Sequence, residues 1–117
     1  MPLRVLIVDD HALFRDAARR VLVASGFEVV SDAVDGAGAL RLAAELCPDV
    51  VLLDVQLPDA DGFAVAQALA GTRPAPIVVM VSSRSRAEYG GLVERSGARG
   101  FIDKADLSGP RLRAELA

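Results

Sequence analysis

The chain has 117 residues, of which 52% are hydrophobic and 25% charged, and its formal net charge is -3. That length holds one domain with one sizeable core, and the acid excess argues against a nucleic-acid surface, which calls for a basic patch. A lone cysteine excludes an intrachain disulfide, and one cysteine with one histidine is a poor kit for zinc.

In chain order, Leu3–Val8 is a short apolar run closed by Asp9 and Asp10. It reads as a buried strand, too short to cross a membrane and without a signal-cleavage pattern. From His11 to about Ala24, the residues Phe14, Ala17, Ala18, Val21 and Leu22 recur every three or four positions, which predicts an amphipathic helix stopped by Gly26. Phe27–Ser31 reads as a second strand, and Glu28 places it at a sheet edge. Asp35–Leu46 predicts a helix with Ala39, Leu42, Ala43 and Leu46 on one side, Asp35 as N-cap and Pro48 as terminator. Cys47 reads as a buried core thiol, compatible with a reducing cytoplasm.

Val50–Leu53 is the third strand, with Asp54 at its carboxyl end. A turn-rich loop, Leu57–Gly62, leads into a short helix, Phe63–Ala70. Beyond Pro74 and Pro76, Ile77–Val81 is a fourth strand closed by Ser82 and Ser83. One helix is expected from about Ala87 to Arg95, then a turn over Gly97–Gly100 and a last strand, Phe101–Ile102, before Asp103 and Lys104. Leu107–Leu116 is the final helix, capped by Ser108, with Pro110 tolerated near its start. Five strands alternate with five helices. The central strands are continuous apolar runs, as expected when helices cover both sheet faces, so a mostly parallel α/β/α three-layer domain follows.

In such sheets, sites form beyond the carboxyl ends of the strands. That rule gathers Asp9, Asp10, Asp54, Ser82 and Lys104 at one rim. Singly, each is a cap, a turn residue or a solvated charge. Three carboxylates at one rim repel one another, and a divalent cation removes that cost. Oxygen ligands favour Mg²⁺, with Mn²⁺ as the alternative. A carboxylate can act as nucleophile toward phosphorus, and such transfer depends mainly on positioning and charge neutralisation. Asp54 is the expected nucleophile and Asp10 a direct metal ligand, with Asp9 acting through a water. Asp54 and the Gln56 carbonyl are further ligands. Lys104, the Ser82 hydroxyl and the Ser83 N–H are expected to bind phosphoryl oxygens. His11 is read as a helix-start residue packed beside the acids, and Gly62 as serving a backbone turn. The acids Asp59 and Asp61 do not make a calcium loop, because the twelve-residue ligand pattern is missing.

The pieces Val8-Asp9-Asp10-His11, Leu53-Asp54-Val55-Gln56-Leu57-Pro58-Asp59-Ala60-Asp61-Gly62, Val79-Met80-Val81-Ser82-Ser83 and Gly100-Phe101-Ile102-Asp103-Lys104 together resemble the receiver domain of response regulators. The resemblance covers essentially all of residues 1–117 and implies a single receiver domain with a five-stranded parallel sheet in flavodoxin-like order 2-1-3-4-5. It implies Asp54 as phosphoacceptor, Asp9 and Asp10 as the acidic pair, Gln56 as a carbonyl ligand, Ser82 and Phe101 as switch residues, and Lys104 as the invariant lysine. A sensor histidine kinase or a small phosphodonor would supply the phosphoryl group, and the α4-β5-α5 face would respond. Gln56 and Arg84 are expected to tune the phosphoryl lifetime. Self-catalysed phosphorylation and dephosphorylation are implied, rather than turnover of an external substrate. The Asp-Asp-His opening and the absence of proline after Lys104 resemble regulators with a LuxR-type helix-turn-helix output outside this chain. Two features depart from the pattern: Leu57-Pro58 replaces the frequent Met-Pro, and the final helix is short, which bears on a homodimer built from it.

Three rival readings remain. An aspartyl-phosphate hydrolase would want an acid two residues after the nucleophile, where Gln56 stands. A nucleotide-binding domain would want a glycine-rich loop after the first strand. A receiver-like docking or dimerisation module working without phosphorylation would have no need of the full acid–serine–lysine set.

Overall fold

The computed structural model describes residues 1–117. Its strands are β1 (Arg4–Val8), β2 (Glu28–Ala33), β3 (Val50–Asp54), β4 (Ile77–Ser82) and β5 (Gly100–Asp103). They form one parallel sheet in the order β2-β1-β3-β4-β5, as the resemblance implied, with the Glu28 strand at an edge. The helices are α1 (Ala12–Ala24), α2 (Gly36–Leu46), α3 (Gly62–Ala70), α4 (Leu92–Arg95) and α5 (Gly109–Leu116).

The unbroken apolar strands have a simple cause. Side chains alternate between the two faces of a strand, and here both faces are dry. Leu6, Val8, Val51, Leu53, Val78 and Met80 share one core with Ala39 of α2, Phe63 and Leu69 of α3, and Val93 of α4. Val5, Ile7, Val50, Leu52, Val79 and Val81 share the other with Ala18 and Leu22 of α1 and Leu112 of α5. The buried stripe of α1 is narrower than its sequence pattern, because Ala17 and Val21 are exposed.

Polar side chains set the helix starts. Asp35 Oδ1 accepts from Gly38 N at 2.7 Å, Asp61 Oδ1 from Phe63 N at 2.8 Å, and Ser108 Oγ from Arg111 N at 3.1 Å. Each satisfies a backbone donor that has no partner within its own helix. Asp59 reaches farther. Its two carboxylate oxygens accept from Gly36 N (2.7 Å) and Ala37 N (3.0 Å), tying the loop after β3 to the start of α2. These N–H donors hold its carboxyl below the usual aspartate range. The acid-rich segment is thus a pair of caps.

Two expectations are corrected. Cys47 is exposed, not buried. It occupies the left-handed C-cap of α2 at φ 46°, and that turn directs its side chain outward while Pro48 is buried instead. The single helix expected over Ala87–Arg95 is broken. A 3-10 turn covers Arg86–Tyr89, and α4 starts only at Leu92. Gly90 between them adopts φ 56°, which suits glycine and interrupts helical geometry.

Candidate functional site

The strand order reverses between β1 and β3, and the crevice at that point is where open α/β sheets place their ligands. Asp9 follows β1 directly, Asp54 ends β3, Ser82 ends β4, and Lys104 follows β5. The register pairs Asp54 with Val81 and Ser82 with Asp103, so these ends lie on one rim.

Asp9 is fully buried and Asp54 is 4% exposed. Lys104 Nζ lies 2.6 Å from Asp9 Oδ2 and 3.2 Å from Asp54 Oδ2, so the lysine and the acids do share one site. Asp9 Oδ2 takes no well-aligned hydrogen bond despite that short approach. The contact is an ion pair with acceptor capacity to spare. The Phe14 ring lies under the ammonium, 4.6 Å from Nζ to its centroid, an attraction of cation to π face. Arg15 Nη1 donates to the Asp9 carbonyl at 2.7 Å and fixes the end of β1.

Burial and the neighbouring Asp9 charge push the Asp54 carboxyl above its usual value, and Lys104 and the Gln56 N–H offset this only in part. Burial opposes the charged form of Lys104, yet the Asp9 and Asp54 carboxylates together outweigh it and raise its value. Three carboxylates facing one ammonium leave an excess of negative charge. Asp9, Asp10, His11 and Asp54 each offer an atom within 4.8 Å of the others. The donor chemistry fits a divalent cation that prefers oxygen, Mg²⁺ or Mn²⁺. The His11 ring is engaged with the acids, Nδ1 lying 2.9 Å from Asp9 Oδ1 and 3.2 Å from Asp10 Oδ1. That matches its expected place at the helix start beside the acids.

The other expected residues surround this centre. Gln56 is exposed, and its N–H donates to Asp54 Oδ1 at 3.3 Å. Ser83 and Arg84 are exposed beyond β4, and Arg84 N donates to Ser82 Oγ at 3.0 Å. Phe101 is buried at 5% exposure. Gly62 serves close approach. A Cβ there would fall 2.2 Å from the Asp54 carbonyl oxygen and 2.7 Å from that of Val55. One residue was missed. Tyr89 places its hydroxyl 2.7 Å from Ser82 Oγ and its ring between Phe63 and Phe101, with centroid separations of 5.4 and 5.9 Å. No local pattern marks it, because the contact spans a loop.

Fold and site together define a phosphoacceptor domain: a buried aspartate beside a lysine and a divalent-cation cluster, at the switch point of a 2-1-3-4-5 sheet. The sequence profile described as response regulator receiver domain matches residues 5–116. Over 105 residues the chain is 46% identical to protein-glutamate methylesterase/protein-glutamine glutaminase 5 of Myxococcus xanthus (strain DK1622), covering 88% of this chain and 30% of that protein. It is 30% identical over 104 residues to the DNA-binding transcriptional activator EvgA of Escherichia coli (strain K12), covering 89% of this chain and 51% of that one. The signal receiver domain of NarL from Mycobacterium tuberculosis superposes with a TM-score of 0.87 at 33% identity, over 99% of this chain and 98% of that one. The chain belongs to the response regulator receiver domain family. It spans 30% of the first of these relatives and 51% of the second. No helix is long and apolar enough to cross a membrane.

Proposed function

We propose that residues 1–117 act as one receiver unit in which Asp54 accepts a phosphoryl group from a sensor histidine kinase or a small phosphodonor. The observation that carries this is the Lys104 ammonium 3.2 Å from the buried Asp54 carboxylate and 2.6 Å from Asp9. One Asp54 oxygen attacks phosphorus, the bond from phosphorus to the donor breaks, and the donor leaves with that electron pair. Lys104 then faces a phosphoryl oxygen, with the Ser82 hydroxyl and the Ser83 N–H as further donors. Asp10, Asp54 and the Gln56 carbonyl would hold Mg²⁺, with Asp9 acting through a water. When bound, the ion supplies charge neutralisation for the clustered oxygens. Phe101 and Ser82 are the switch pair, and Gln56 and Arg84 tune how long the acyl phosphate lasts. The responding α4-β5-α5 face would serve a downstream domain or a second copy of the chain.

A helix-turn-helix output of the LuxR type in the full regulator is the finer proposal, supported by the similarity to the DNA-binding activator EvgA and by Ala105, not proline, after Lys104. A cytoplasmic setting follows from the kinase partner, and the exposed free thiol of Cys47 suits a reducing compartment.

Incubation with acetyl phosphate and Mg²⁺, followed by intact-mass measurement, tests the chemistry. One added phosphate is expected, lost in Asp54→Ala. Labelling that survives in that variant refutes the choice of aspartate. Steady phosphate release without an adduct would favour a phosphatase, and no labelling at all would favour a passive docking module.

A further inference from the structure

Tyr89 lies outside the phosphoryl-binding set, yet it holds one member of it. Its hydroxyl is 2.7 Å from Ser82 Oγ, and the same Oγ accepts from Arg84 N at 3.0 Å. A serine hydroxyl has one proton and two lone pairs. If Ser82 donates to Tyr89, its only proton is spent. If Tyr89 donates, both lone pairs are engaged and the Oγ direction is set by the turn. In the first case Ser82 cannot donate to a phosphoryl group on Asp54 without giving up the Tyr89 contact. In the second its proton is free, but turning Oγ toward Asp54 strains both bonds it accepts.

The surroundings of Tyr89 suit a group that lets go. The Arg86–Tyr89 turn contains no buried residue. The break at Gly90 separates it from α4. Its ring borders an open groove of about 340 Å³ lined also by Val55, Phe63 and Leu92, which gives it space to move away from Ser82. Phe101, by contrast, is buried on β5 against the ring. Release of Tyr89 would therefore also free one side of the Phe101 ring.

We propose that the Tyr89 hydroxyl and a phosphoryl group on Asp54 compete for the Ser82 hydroxyl, so that phosphorylation releases the Arg86–Tyr89 turn. This rests on Asp54 being the phosphoacceptor. Tyr89 is a positioning residue: it acts through Ser82 and touches no reacting atom.

The test uses the whole chain and beryllofluoride with Mg²⁺ as the phosphoryl mimic. Tyr89 is the only tyrosine and there is no tryptophan, so intrinsic tyrosine emission reports on this side chain alone. Without any mimic, Ser82→Ala should change that emission, a readout independent of metal. In the wild type, saturating mimic should shift the emission in the same direction, and in Ser82→Ala it should add nothing. Tyr89→Phe keeps the ring and removes the competitor. Binding followed by fluorine NMR should then be roughly two- to tenfold tighter, the fold-change expected from releasing one neutral hydrogen bond. Equal or weaker binding by Tyr89→Phe, or mimic bound to the wild type with unchanged emission, overturns the competition and leaves the Asp54 reading standing. No bound mimic in the wild type overturns both. A melting temperature measured for each variant separates these effects from a loss of fold.

Discussion

Replacing Gly62 by alanine should damage stability and site together, because the atoms it would strike are the backbone that carries the phosphoacceptor. The new Cβ would sit 2.2 Å from the Asp54 carbonyl oxygen, 2.7 Å from the Val55 oxygen and 2.8 Å from Val55 Cα. To reach even 3.0 Å, the Asp54 carbonyl must retreat by 0.8 Å. It cannot do so freely, since Gly62 N donates to Val55 O at 2.7 Å and Val55 N to Val81 O at 3.1 Å. Overpacking costs about 1–3 kcal/mol, and a clash with backbone belongs at about 3. Alanine restricts the unfolded chain and returns about 0.7 kcal/mol, leaving a net loss of about 2 kcal/mol. With an unfolding entropy of about 2.1 cal/mol/K per residue, the melting temperature should fall by about 8–10 °C. Circular dichroism melts in chelator would measure it. A displacement of this size should also slow acetyl phosphate labelling at least about tenfold. A fall below about 2 °C, or labelling at the wild-type rate, would refute the close-approach argument.

The Asp54 carboxyl is raised above 3.8 by burial and by Asp9, so its ionisation costs stability as pH rises from 3.8 through the raised value. Asp54→Asn should therefore stabilise the metal-free domain at neutral pH, with the gain shrinking as pH is lowered toward 3.8. Urea melts in chelator at several pH values would show this, and a pH-independent gain would contradict it. Lys104→Met strips the cation from fully buried Asp9 and should cost about 3 kcal/mol in chelator, at the low end for breaking a buried pair. Added Mg²⁺ should restore part of that, and an unchanged urea midpoint would count against the pair. Cys47, exposed at the α2 C-cap, should react with a thiol reagent in the native state as fast as in urea. Strong native protection would put it back in the core.

Much of the site was legible because its residues sit where local patterns end. Asp54 and Ser82 close apolar runs that can only be buried strands, and an open parallel sheet brings such ends to one rim. Asp35 and Ser108 cap the helices they precede in sequence, since capping joins residues three apart. The Cys47 error has a local cause as well: one residue past a helix end, the apolar period no longer predicts which way a side chain points, and φ 46° turned it outward.

Periodicity and order along the chain determined the five strands, most of the helices and the set of residues at the rim, because those follow from which faces must be dry. Tertiary structure alone decided the contacts across the rim. The Lys104 ion pairs reach Asp9 and Asp54 from another strand, Asp59 holds a helix 23 residues away, and Tyr89 reaches back to Ser82 from a 3-10 turn that the sequence pattern had merged into one helix. Directional bonds at about 3 Å depend on where the packed backbone puts each atom, and spacing in sequence carries no record of that.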